Sequence, residues 1–352
     1  MLDLSLIAEG YHLRIEDFLL LSAKGNRSIY RLRTDKGDFV LKPVSYPPEE
    51  FAFIAEACAH WLKAGCRVAA VIPTVDGAWT LEAADRGDGR FFLMPYLSGT
   101  AVDFRQEEQV LRIAEPLADL HRQGAGFQCR RYPDRCKIGR FPAIVEQKVA
   151  DLLRWRRRLR QISQKCYFDF LYEGQIGEAL AEAEEVARRL EIYYAPLAEE
   201  YRKRGCLCHH DLANHNILLD PRVESPRTTV AFVDFDYCIS DVFVHDLASI
   251  LWRLGKSNTY QPSLALAFLR RYRKFLPLGE GERRLLRDYL CFPQEIWQMG
   301  LAFYEEVPQL VNEQLRRGRR GRLDRRLTEY VDLLEPRRRF LACLKEEIQC
   351  GC

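Results

Sequence analysis

The chain has 352 residues, enough for one large domain or two that share a core. Its 47% hydrophobic content is that of a globular protein, and no run approaches the ~18 consecutive apolar residues of a membrane span. A net charge of +3 from 53 basic and 50 acidic residues does not call for a nucleic-acid partner.

The N-terminus lacks a basic segment before an apolar core, so no secretory signal is expected and a cytoplasmic location follows. The twelve cysteines are scattered without a C-x-x-C pair, and most sit in apolar or helical runs, which reads as buried thiols. Cys206-Leu207-Cys208-His209 lacks zinc-ligand spacing and reads as a strand entering a site. Cys350 and Cys352 are placed where a frayed end exposes thiols to crosslinking.

Residues 1–15 read as a short helix or an irregular lead-in. Strands follow at 18–21, 28–33 and 38–42, the last two joined by the turn Asp35-Lys36-Gly37. The turn Ser22–Ser28 offers backbone N–H groups to phosphates, although one glycine makes an ordinary hairpin loop the blander account. Lys42 ends the third strand. An amphipathic helix from Glu49 to Lys63 carries Glu49, Glu50 and Glu56, and Gly65 supplies its C′ position. Further strands are expected at 70–73, 79–82 and 91–94, before a linker at 95–99. Beyond it the chain turns helical: 107–123, a Gly/Cys/Pro-rich loop at 124–142, then 143–164 and 175–204. After a short hairpin come 245–254, 262–276, 280–290, 292–315 and 325–347. Three arginine clusters stand out. Arg154–Arg160 lies on a helix as a solvated face, and Arg316–Arg322, interrupted by two glycines, reads as a basic turn between helices. Arg337–Arg339 is the third.

The chemistry concentrates in Cys208-His209-His210-Asp211-Leu212-Ala213-Asn214-His215-Asn216 and Val230-Ala231-Phe232-Val233-Asp234-Phe235-Asp236. A carboxylate, an amide oxygen five residues later and two further carboxylates on a hairpin suit a hard cation and a hydroxyl aimed at phosphate. Taken singly, each has a bland alternative: a capping aspartate, a strand-terminal asparagine, a solvated turn.

In this order, after a strand lysine and a helix glutamate, the residues resemble the protein-kinase-like superfamily, in its aminoglycoside/choline kinase branch. His209-His210-Asp211 stands where that branch often has His-Gly-Asp, and His245-Asp246-Leu247-Ala248 follows the Val-Asp-Phe-Asp. The chain is most similar to CotS-type, spore-coat-associated kinase-like proteins. The resemblance implies an α+β, two-lobed fold: a small antiparallel β N-lobe with one helix at residues 1–97, and a large, mainly helical C-lobe at 98–352. That C-lobe would carry the catalytic loop and a substrate-binding helical insert at about 141–204.

The resemblance assigns roles residue by residue. Lys42 grips phosphates of ATP and is held by a helix glutamate, Glu56, with Glu49 and Glu50 as alternatives. Asp211 is the catalytic base or hydroxyl-orienting carboxylate. Asn216 and Asp234 bind Mg2+. Asp236 reaches metal or substrate, or bonds locally. Met94 and Tyr96 line the adenine slot with backbone groups on offer, and Asp246 ties down the catalytic loop. The implied function is ATP- and Mg2+-dependent phosphoryl transfer to a small-molecule hydroxyl. The alternative is a kinase-fold assembly protein of the spore coat, with nucleic acid binding the least favoured and no membrane partner.

Overall fold

The computed structural model describes residues 4–24, 27–82, 89–129, 131–223 and 228–350. Gly25 and Asn26 of the expected phosphate-covering turn, and Gly351 and Cys352, lie outside the described residues. Contacts divide the chain into two compact units, Met1–Cys136 with Arg204–Asp241, and Lys137–Lys203 with Val242–Cys352. The hairpin is thus grouped with the N-terminal sheet, while the lobe boundary expected from the sequence falls at 97.

In the first unit, α1 (Leu4–Tyr11) precedes three strands, β1 (Ile15–Lys24), β2 (Arg27–Thr34) and β3 (Gly37–Pro43). After α2 (Pro48–Lys63) come β4 (Leu81–Glu82) and β5 (Arg90–Pro95), completing an antiparallel sheet in the order β1-β2-β3-β5-β4. The period-2 alternation of β3 sends Leu41 to one face, where it joins Ile7, Tyr11, Leu13, Leu32 and Leu93 in a core covered by α1. Val40 and Lys42 take the other face. There Lys42 pairs in register with Phe92, whose ring packs against Phe51 of α2 at 4.8 Å. Residues 70–73, expected as a strand, make a single bridge from Ile72 to Leu93, because Pro73 has no N–H to continue a ladder.

The helix α2 ends as its sequence suggests. Gly65 has φ +87°, Cys66 N–H reaches the Trp61 carbonyl and Gly65 N–H the Leu62 carbonyl, satisfying two terminal acceptors. Its buried side is tied down by Trp61, whose Nε1 donates to the Leu120 carbonyl of α3 (Glu107–Gln123) at 2.9 Å. His60 Nε2 likewise donates to the Gln123 carbonyl at 2.9 Å. A second sheet, β6-β7-β8, joins Thr100–Ala101 to the hairpin strands Ile217–Leu219 and Val230–Phe232. Gly99, just before β6, has φ +143°, and a Cβ there would stand 2.9 Å from the Leu219 carbonyl oxygen. That close approach lets the linker reach the hairpin. Asp220, after β7, fixes the same junction by accepting from Ser98 Oγ at 2.5 Å and pairing with Arg67 at 3.3 Å.

The second unit is helical among the described residues: α4 (Phe141–Gln161), α5 (Tyr167–Arg204), α6 (Val244–Ser257), α7 (Pro262–Phe275), α8 (Glu280–Cys291), α9 (Gln294–Leu301), α10 (Glu313–Asp332) and α11 (Leu334–Gln349). A π-helical segment, Ala302–Glu306, and a 3-10 turn, Val307–Gln309, end the α9 stretch. Arg316–Arg322 is therefore not a turn but part of α10. Asn312 caps that helix by accepting from the Leu315 N–H, and Arg317 pairs with Glu313 one turn earlier, which offsets the two glycines. In α4, Trp155 and Leu159 are buried while Arg154 pairs with Asp151 and Glu305. Arg337 of α11 is itself buried, stacked on Trp252 and Tyr330 at 4.5 Å from each ring and paired with Glu295.

Candidate active site

The first unit brings together Lys42, Asp211, Asn216, Asp234 and Asp236. Antiparallel register sets Ile217 opposite Phe232, and Val233 N–H donates to the Asn216 carbonyl at 3.0 Å. Asn216, at the entry of β7, thus lies beside the exit of β8, where Asp234 follows. The chain must turn sharply at that exit. Asp234 adopts the left-handed conformation, φ 63° and ψ 65°, which aspartate tolerates better than most residues. His210 also has positive φ, 69°, which gives a physical reason for the glycine common at that place in the resembling branch.

Lys42 is the positive centre. Its Nζ lies 2.7 Å from Asp234 Oδ1 and 2.9 Å from Asp236 Oδ1, with only 12% of its side chain exposed. Burial alone would lower its pKa, but the charges of Asp236 and Asp234 and their hydrogen bonds outweigh it and hold the ammonium above the ordinary lysine value. For Asp234, burial works upward and Lys42 wins, so its carboxyl is depressed. Asp236 is raised, first by burial and then by the negative charge of Asp234, against the pull of Lys42.

The expected helix partner is a correction. Glu56 does not meet Lys42; it accepts from the Tyr132 hydroxyl at 2.8 Å. Glu50 is engaged by Arg135 at 2.8 Å, and Glu49 is exposed. With two carboxylates already on Lys42 and the helix glutamates occupied by Tyr132 and Arg135, the lysine's charge is balanced from the hairpin instead.

Asp211 is fixed from two sides. Asn216 Nδ2 donates to its carbonyl at 3.0 Å and to its Oδ2 at 3.2 Å, so the Asn216 amide oxygen is turned away from Asp211. The Asp211 N–H donates to His209 Nδ1 at 3.3 Å, and His209 Nε2 donates to the Val233 carbonyl at 3.0 Å. One tautomer of this fully buried histidine therefore links the catalytic loop to the hairpin strand. Both ring nitrogens are committed, and Cys208 Sγ is directed to the Asp241 carbonyl at 3.3 Å. The Cys206–His209 stretch is packed structure but not the strand expected, making one isolated bridge from Cys208 to Ile239.

The linker needs a second correction. Met94 pairs in register with Val40. The Tyr96 N–H, however, donates to the Asp38 carbonyl at 2.9 Å, and the Tyr96 ring lies 4.0 Å from the Arg31 guanidinium. Alternation along the strand then turns the Pro95 carbonyl away from β3, so Pro95, not Tyr96, presents a free edge. Asp246 lies fully buried in the first turn of α6, in the second unit.

The sequence reading missed Arg135. It sits in the loop after α3 with 7% of its side chain exposed, donating to the backbone carbonyls of Asp236 at 2.7 Å and Cys238 at 3.0 Å. No periodicity marks it, because it lies in an irregular segment.

Comparison with known proteins bears on the family and the fold. The profile of the APH phosphotransferase enzyme family matches residues 20–286. Spore coat protein S of Bacillus subtilis is 22% identical over 301 residues, covering 85% of this chain and 83% of that protein. An aminoglycoside phosphotransferase from Alicyclobacillus acidocaldarius superposes with a TM-score of 0.77 at 22% identity, over 99% of this chain and 97% of the other. A spectinomycin phosphotransferase, solved with ADP and spectinomycin, gives 0.60 at 13% identity over 96% of each chain. At these identities the structures show the fold: an α+β, protein-kinase-like architecture.

Proposed function

This chain belongs to the APH phosphotransferase enzyme family, and from that premise we propose that it is an ATP- and Mg2+-dependent phosphotransferase whose acceptor is a small-molecule hydroxyl. The observation that carries the reading is the convergence of Asp234 and Asp236 on Lys42, with Asn216 and Asp211 hydrogen-bonded beside them.

Asn216, Asp234 and Asp236 fit a divalent cation. The two carboxylates already converge on one positive charge, and the asparagine oxygen points away from Asp211. Two carboxylates and an amide leave room for the water and phosphate oxygens that Mg2+ prefers. When bound, the ion screens phosphate charge so that a nucleophile approaches. Lys42 offers its ammonium to the phosphates from a largely dry strand end. Asp211, held by the Asn216 amide and the His209 link, accepts and orients the acceptor hydroxyl. Met94 and the Pro95 carbonyl line the base slot.

The acceptor is not written in the insert's polar residues. Tyr172 donates to the Ile296 carbonyl, Tyr193 to Asp288, and Asp169 accepts from Tyr304, so these side chains serve the helical packing. The direct test is a panel of hydroxylated metabolites scored by ADP release with Asp211→Ala as control. Unchanged release in the variant would refute the assignment.

Similarity to spore coat protein S favours a second reading, a kinase-fold protein of a spore-coat assembly with little turnover. Calorimetry separates them, since absence of Mg·ATP binding leaves only the second. In either case the site of action would be the cytoplasm or the coat. Among the described residues no helix is long and apolar enough to cross a membrane.

A further inference from the structure

Arg135 is a buried cation outside the catalytic set, and each arm of its guanidinium is committed. Nε and Nη2 both reach Glu50 Oε1 at 2.8 Å, in the first turn of α2. Nη1 donates to the carbonyls of Asp236 and Cys238. Its own carbonyl accepts from the Ser240 N–H at 2.9 Å, and Cys136 bridges to Ser240. The guanidinium also lies 5.0 Å from the Tyr46 ring centroid. Three backbone points of the segment 236–240 are thus held by one residue. That segment carries the carboxylate that reaches Lys42.

The helix glutamate that would ordinarily be sought beside the strand lysine is absent from Lys42, where Asp236 and Asp234 stand instead. The helix still has a route to the centre: Glu50 to Arg135, Arg135 to the backbone of Asp236, and the Asp236 carboxylate to Lys42. A planar fork suits this task because it serves one carboxylate and two carbonyls at once in a fixed geometry; an ammonium is a point charge and does not.

We propose that Arg135 is a positioning residue for Asp236, through which the first turn of α2 sets one of the two carboxylates that hold Lys42. This rests on the phosphotransferase reading for its purpose, but not for its test. Arg135 acts through Asp236 and needs no contact with nucleotide or acceptor.

The test is acetylation of Lys42 in the full-length protein by acetic anhydride, quantified by mass spectrometry and normalised to Lys63, an exposed lysine on α2. In the wild type the ammonium is buried and doubly paired, so Lys42 reacts slowly. Arg135→Met frees the 236–238 backbone and raises the Lys42/Lys63 ratio by about tenfold, the scale of one lost charge-assisted hydrogen bond. Glu50→Gln raises it less, Arg135→Lys gives an intermediate value, and Glu56→Gln leaves it unchanged. Lys63, exposed in any state, corrects only for reagent dose; general loosening would accelerate the half-buried Lys148 as well, whose ammonium donates to Gln294, and an equal rise there overturns the proposal. If Arg135→Met does not fold, Arg135→Lys carries the test, and an unchanged ratio there overturns the proposal. So does a rise in Glu56→Gln equal to that in the Arg135 variant. Failure of the wild type to bind Mg·ATP would overturn the phosphotransferase reading and leave the labelling result standing.

Discussion

Replacing Lys42 with methionine keeps the aliphatic stem and removes the ammonium from between two carboxylates. The Asp236 side chain is 22% exposed and the Asp234 side chain 44%, so the two contacts are not equivalent. A hydrogen bond between charged groups contributes about 1.5–3 kcal/mol when shielded, which applies to Asp236. Water reduces the Asp234 share to about 0–1 kcal/mol. The expected loss is about 1.5–4 kcal/mol, or roughly 3–16 °C in melting temperature for a unit of this size. Thermal unfolding in EDTA measures it. Millimolar Mg2+ should then stabilise Lys42→Met more than the wild type, because the ammonium no longer competes for the carboxylates. The pH dependence has a definite sign. Asp236 has a raised pKa, so its contribution is present below the ordinary carboxylate value, about 3.9, and is lost as pH rises through the raised value. Without Lys42 that penalty grows, and mild acid relieves it by protonating the pair. The contribution of the raised Lys42, which at high pH is lost as pH rises through its raised value, rests on the charges of Asp236 and Asp234 and so also fades as they protonate in acid. The gap between variant and wild type therefore narrows on acidification. Equal stability in EDTA, or equal stabilisation of both proteins by Mg2+, would refute the reasoning.

Asp211→Ala should lower turnover by about 10²–10⁴-fold while Mg·ATP still binds in calorimetry, whereas Asp234→Ala should abolish the Mg2+-dependent part of that binding. Glu295→Gln should cost about 3 kcal/mol at neutral pH in urea unfolding, because buried Arg337 loses its anionic partner. Burial works against the Glu295 carboxylate, but Arg337 and Lys256 hold its pKa below normal. Its contribution is present above about 4.3 and fades as pH falls through the lowered value, so the variant and wild type should converge in acid. Gly318→Ala with Gly321→Ala should raise stability by about 1–2 kcal/mol, since both lie inside α10. At Gly321 a Cβ meets nothing within 4 Å, and at Gly318 only the Arg322 guanidinium at 3.8 Å. Destabilisation would show that the stretch is not helical in solution.

The hairpin and the helices around it were legible because local rules act alone there. The apolar runs at 217–219 and 230–232 fit only as paired strands, and the bounds of α3 follow its 3.6-residue period. The partner of Lys42 was not legible. Its choice among Glu49, Glu50, Glu56 and the hairpin aspartates depends on which distant groups occupy the glutamates, and Tyr132 and Arg135 come from a segment without periodicity. The arginines of α10 misled for a related reason. Two glycines among like charges suggest a turn, but the Asn312 cap and the Glu313 and Glu306 partners outweigh them. Tyr96 shows the same limit at the scale of one peptide group, since only the register reveals that its N–H belongs to Asp38.

The first unit is assembled from two stretches of chain, with residues 137–203 intervening. During synthesis, β3 and Lys42 leave the ribosome long before Asp234, 192 residues later in sequence, has been made. Until then the lysine strand has no counter-charge, and the linker at Gly99 has no β7 to meet. Closing so long a loop is a slow, non-local event, although each doubling of its length adds only about 0.6 kcal/mol of entropy cost. Through the translation of residues 137–203 the N-terminal segment therefore has its Lys42 face incomplete. That interval is when a chaperone or a misplaced strand has access to it.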